Sequence, residues 1–177
     1  SGLAPMALSA QRVRAMGYEQ MPVNGWLPTM VPGAPAAWAA LRRRFGRLSM
    51  AELMAPAIQY AREGFPVPLN VHRLWVGEAE RFKAAAEKEP AVFAPWLAYF
   101  TKDGEAYGPG ELFRLPDYAD TLESLAATDC ESYYRGELME KIVAFSRQTG
   151  GYFTEEDFIN YAPLWVEPIT INYKGCD

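Results

Sequence analysis

Apolar residues recur at helical spacing along most of this chain. Leu53, Ala57, Ile58 and Ala61 fall on one face, so Met50–Glu63 is expected to form a helix that buries it. Ser49 stands three residues before Glu52, a capping-box arrangement worth about 1 kcal/mol at the N-cap. Gly64 follows as the stop, and Pro56 is expected to kink the helix or shorten its first turn. Upstream, Ala36–Phe45 predicts a helix ended by Gly46. Pro32 and Gly33 set a stiff turn before it, and Trp38, Leu41 and Phe45 are expected to pack it. Residues 1–35 read as an irregular entry segment holding one short helix, Ala7–Met16.

Downstream, Asn70 is expected to cap a helix running to about Lys88, with Val71, Leu74, Trp75 and Phe82 inward and Pro90 closing it. Tyr99–Tyr107 predicts two short extended arms around Asp103-Gly104, a hairpin signal. Pro116 opens another helix with Ala119, Leu122, Leu125 and Ala126 inward. Glu137–Gln148 follows, stopped by Gly150-Gly151, and Thr154 with Asp157 repeats the capping logic for a short helix ending near Tyr161. Leu164–Tyr173 carries Trp, Val, Ile, Thr and Tyr in an extended pattern and is expected to be a strand. A lone strand leaves its ladder groups unpaired, so its neighbours are expected outside this chain. The pattern therefore predicts a single, mainly α-helical piece over residues 1–177. It has an entry segment at 1–35, a helical region at 36–163, a short hairpin within that region, and a C-terminal β-strand at 164–177.

Composition narrows the function classes. Hydrophobic residues make up 50% and charged residues 22% of 177 positions, as in an ordinary globular protein. With 17 Lys+Arg against 22 Asp+Glu the net charge is -5, and no long basic run offers a footprint for nucleic acid. No apolar run is long enough to span a bilayer. Cys130 and Cys176 lack the spacing of a metal or redox pair. The chain opens on Ser1 without a methionine, as an internal cut or a processed end would.

The candidate chemical groups read mostly as structure. His72 is the single histidine, with no nucleophile elbow near it, and reads as a helix-surface or core residue. Arg42-Arg43-Arg44 lies past the positive end of its helix and reads as a solvated face before an anion site. Asp103-Gly104-Glu105 lacks the alternating oxygen ligands of a calcium loop and reads as a turn. Glu155, Glu156 and Asp157 sit where a helix's first turn favours negative charge without a metal. Tyr133 and Tyr134, like the five tryptophans, read as core or interface. Taken alone, these residues assemble no active site, metal site or cofactor site.

A linear pattern goes further. Gly25 opens G-W-L-P-T-M-V-P-G-A-P-A-A-W, followed by R-F-G-R-L and then by P-A-I-Q-Y-A-R-E-G-F-P-V from Pro56. Gly110 opens G-E-L-F-R-L-P-D-Y-A-D-T-L, and Ser132 opens S-Y-Y-R-G-E-L. Then comes T-G-G-Y-F-T-E-E-D-F-I-N-Y, running on to E-P-I-T-I-N-Y-K-G. In this order the blocks resemble the gamma-glutamyltranspeptidase family, over nearly all of Gly25–Gly175 and within a central part of that family's large subunit.

The resemblance implies an N-terminal-nucleophile hydrolase with a layered αββα parent fold and no cofactor. A precursor would cleave itself, and the new N-terminal threonine of a small subunit would attack a gamma-glutamyl amide such as that of glutathione. That threonine is not in this chain. The piece is therefore expected to be inactive alone and to partner the rest of the large subunit, the small subunit and a small gamma-glutamyl substrate. Residues 164–177 would re-enter the missing sheet. The family also suggests export to the periplasm or outside the cell. The family's arginine for the substrate α-carboxylate precedes an A-P pair, here Ala4-Pro5. Ser1 takes its place in an R-x-x-A-P pattern and Leu3 in an S-G-R-A-P pattern. Losing that bidentate contact would cost roughly 2–5 kcal/mol of binding. A divergent amide acylase with an altered substrate is thus one alternative, and a non-catalytic helical interaction module is another.

Overall fold

The computed structural model describes residues 2–176. In chain order the elements are α1 (Ala10–Ala15), α2 (Ala34–Phe45), α3 (Met50–Glu63), β1 (Phe65–Pro66), α4 (Leu69–Lys88), α5 (Pro90–Phe100), β2 (Leu112–Phe113), α6 (Pro116–Ala127), α7 (Ser132–Arg135), α8 (Glu137–Gln148) and α9 (Glu155–Ile159). The chain is mainly helical. Its two short strands pair antiparallel, Phe65 opposite Phe113 and Pro66 opposite Leu112.

Local signals set most helix ends. Ser49 Oγ accepts from Glu52 N, the Glu52 side chain accepts from Ser49 N, and α3 begins and ends where the pattern predicts. The helix is continuous through Pro56. Its buried face is Met50, Met54 and Ala61, with Leu53 and Ala57 exposed, so the face is rotated from the expected one. α6 starts at Pro116 as expected, α8 keeps its expected bounds, and Ala119, Leu122 and Leu125 are buried. α4 starts at Leu69 with Pro68 as its N-cap, so Asn70 is helical and does not cap it. Val71 and Leu74 point outward, because α4 packs through Ala79 and the rings of Trp75 and Phe82. Pro90 does close α4, but it also opens α5, whose N1 position suits a residue without an N–H. Tyr99 and Phe100 therefore end a helix. The expected hairpin contracts to one Lys102–Glu105 pair around Asp103 and Gly104, whose φ values of 54° and 85° make a two-residue primed turn.

Two buried clusters hold the fold. In one, α3 packs on α6 through Met50, Met54, Leu122 and Leu125, with Ala39 of α2 and Cys130 joining. In the other, Val31 of the entry segment meets Tyr134, Met139, Val143, Phe153, Phe158 and Tyr161. A Cβ at Gly151 would lie 2.6 Å from Trp26 Cδ2 and would overlap Ser146 Oγ, so this close approach requires glycine. Leu164–Tyr173 forms no strand. Leu164–Ile171 carries no ladder partner among the described residues, and Tyr173 pairs with Cys176 around Lys174 (φ 52°) and Gly175 (φ 83°). Leu164, Val166, Ile169 and Ile171 are exposed, and without a neighbouring sheet nothing fixes them as a strand.

Candidate functional site

The segment where a substrate-binding arginine was expected begins at the chain's start. Ser1 lies outside the described residues. Leu3 is 60% exposed and contributes only its carbonyl, which accepts from Val31 N at 2.9 Å. Gly2 runs so close to Val31 that a Cβ there would collide with the Val31 carbonyl. Pro5 is buried, and its carbonyl accepts from Leu8 N in a tight turn. Met6 N then donates to Asp157 Oδ1 at 2.7 Å, across 151 positions. The entry segment is thus held at two points that flank Ala4-Pro5.

Asp157 is 6% exposed and does two things at once. Its Oδ2 accepts from Thr154 N and Thr154 Oγ1, each at 2.8 Å, closing the capping box of α9. Its Oδ1 fixes Met6. The cap is legible from T-E-E-D, whereas the second contact carries no sequence signal because the two partners are distant along the chain.

The turn before α2 is held by a residue far along the chain. Gly33, the N-cap, offers no side chain, and the Tyr134 hydroxyl accepts from Ala36 N (3.1 Å) while donating to the Pro32 carbonyl (2.6 Å). Burial pushes the Tyr134 phenol up to about 12, so it serves as a neutral donor and acceptor.

The arginine run is consumed within the chain. Arg42 Nε and Nη2 donate to the two oxygens of Asp129 at 3.1 and 3.0 Å, and Arg43 Nε donates to Oδ2 at 2.8 Å. Burial alone would raise the Asp129 pKa, but the hydrogen bonds from Arg43 and Arg42 outweigh it and hold the carboxyl below its usual range. Arg44 lies over the Trp165 ring at 4.3 Å. Beside Asp129, burial pushes the Cys130 thiol up to about 11, leaving it protonated and a poor nucleophile at neutral pH. His72 Nδ1 donates to the Tyr107 carbonyl at 2.8 Å, a tether between α4 and the loop before β2. None of these groups converges on the entry segment.

Trp38, Leu41 and Phe45 do not pack α2 inward. They line an apolar groove of about 540 Å³ with Leu53, Met54 and Tyr118, and the buried face of α2 is Pro35 and Ala39. No helix among the described residues is long and apolar enough to cross a membrane.

The family model for gamma-glutamyltranspeptidase matches residues 1–177. The chain belongs to the gamma-glutamyltranspeptidase family. Within that family it is 34% identical over 148 residues to the glutathione hydrolase-like YwrD proenzyme of Bacillus subtilis, matching 82% of this chain and 26% of that protein. Its fold superposes on cephalosporin acylase from Bacillus halodurans with a TM-score of 0.92 at 45% identity, covering 99% of this chain and 32% of the other. Gamma-glutamyltranspeptidase from Pseudomonas nitroreducens, complexed with L-DON, gives a TM-score of 0.82 at 28% identity, covering 98% and 49%. The chain spans about a quarter of the length of the curated relatives it matches.

Proposed function

We propose that this chain is a central part of the large subunit of a gamma-glutamyltranspeptidase-like enzyme. In this reading it walls the acyl-donor cleft with its entry segment, is inert alone, and lends residues 164–177 to a sheet built by the rest of the protein. The family match over residues 1–177 carries the reading. The unpaired apolar stretch Leu164–Ile171 and the uncovered groove on α2 and α3 support it, since both offer apolar surface to further chain.

In the reaction, a threonine hydroxyl outside this chain adds to the acyl amide carbonyl, using its own α-amino group as the base. The amine leaves with that proton, and water or an acceptor amine then releases the acyl group. The acyl donor itself divides two readings. Leucine at position 3 supplies no guanidinium for a carboxylate, and the 45% identity to a cephalosporin acylase also favours an amide acylase with altered acyl recognition.

The test is to express the full-length protein, follow self-cleavage on a gel, and assay p-nitroanilides of gamma-glutamate and of acyl groups lacking the α-amino or α-carboxylate group. Self-cleavage with preference for the gamma-glutamyl anilide supports the first reading, and preference for a simpler acyl group supports the second. Turnover by residues 1–177 alone overturns the inert piece. Neither cleavage nor turnover favours the non-catalytic interaction module.

A further inference from the structure

We infer that Asp157 is a positioning residue for the acyl-donor cleft, acting through the backbone of Met6; this rests on the functional reading above. The protein contains its own control for the geometry. At α3, Glu52 closes a capping box with one oxygen alone, Oε2 taking both Ser49 N (2.8 Å) and Ser49 Oγ (2.7 Å) on an exposed surface. At α9, one oxygen again suffices, because Oδ2 takes both Thr154 donors. The second oxygen of Asp157 is surplus to the cap. It is directed instead at Met6 N, at 2.7 Å, from a carboxylate that is 6% exposed. An ionised carboxylate accepts in both directions at once, whereas an amide offers a single oxygen and would turn an N–H toward one of the two donors.

Position follows from this contact. Leu3 O is bonded to Val31 N and Met6 N to Asp157 Oδ1, so exposed Ala4 and buried Pro5 are held between two anchors. Val31 is itself tied through Pro32 to Tyr134. The carboxylate therefore sets where positions 3 and 4 stand relative to α7 and α9. Its effect belongs in acyl-donor binding, away from the bond-making step.

Three variants of the full-length protein test this. Asp157→Asn removes the two-way acceptor. Met6→Pro removes only the cross-chain donor, at a turn position where proline is accommodated. Thr154→Val removes the hydroxyl that donates to Asp157 Oδ2 and accepts from Asp157 N, and keeps both the Asp157 carboxylate and its Met6 donor. The first two should raise KM for the preferred acyl anilide on the order of tenfold, the change expected if displacing the entry segment weakens acyl-donor binding by about 1.4 kcal/mol. They should leave kcat and self-cleavage within about twofold. Thr154→Val should lower the melting temperature without moving KM. A KM unchanged in Met6→Pro, or raised equally in Thr154→Val, overturns the proposal. If the wild type turns over no acyl anilide, the functional reading itself fails. Amide exchange at Met6 then decides the anchor: faster exchange in Asp157→Asn supports it, and equal exchange overturns it.

Discussion

The hydroxyl of Tyr134 stands in for the missing N-cap of α2, accepting from Ala36 N at 3.1 Å while donating to Pro32 O at 2.6 Å. Gly33, the residue at the cap, has φ -93° and ψ -12°, an ordinary conformation that asks nothing special of glycine. The turn is held from a distance of 98 positions, and Gly33 itself sits in an ordinary conformation.

Tyr134→Phe should therefore destabilise the fold by about 1–3 kcal/mol, because it strands a partly buried N–H and a carbonyl while keeping the ring in its cluster. Denaturant unfolding monitored by circular dichroism measures this directly. A change within a few tenths of a kcal/mol would show that solvent replaces the hydroxyl.

Asp129 gives a pH signature with a definite sign. Its folded-state carboxyl titrates below the usual range, so its contribution to stability is complete above the ordinary aspartate pKa and is lost as pH falls through the depressed folded value. Asp129→Asn should be less stable than wild type at neutral pH. The gap between the two melting temperatures should close as pH falls below about 4, near and below the unfolded-state value. A gap independent of pH would assign the loss to packing.

Cys130 is buried with its thiol pushed up to about 11, and Cys176 is exposed. In a Cys176→Ser background the folded protein should resist a thiol-specific dye at pH 8, and reaction should follow global unfolding in denaturant. Prompt labelling under native conditions would show that the Asp129–Cys130 corner opens locally.

Gly151→Ala should cost about 1–3 kcal/mol through overlap with Trp26 and Ser146. Gly150→Ala, at φ 76° with open space around it, should show only the smaller penalty of a left-handed backbone. Thermal melts of the two single variants compare collision with conformation.

What could be read along the chain was what neighbours decide. The box of Ser49 and Glu52 fixed the start of α3, Pro116 opened α6, and Glu137–Gln148 formed the helix expected before Gly150-Gly151. α5 is not legible in the pattern because Pro90 reads as the stop of α4, although a proline at N1 begins a helix as readily as it ends one. β1 and β2 are not legible because two residues carry no period, and their pairing depends on Phe65 meeting Phe113, 48 positions further along the chain. Trp38, Leu41 and Phe45 were expected inside because apolar side chains favour burial, and they instead line an open groove.

The order of motifs by itself identified the family, and local capping hydrogen bonds by themselves determined the starts of α3 and α9. Only the tertiary structure decided that Asp157 reaches Met6, that Tyr134 caps α2, and that Arg42 and Arg43 share Asp129. Each of these joins a side chain to a partner more than 80 positions away. The free energy of such a contact depends on the geometry that packing brings together, which no local pattern encodes.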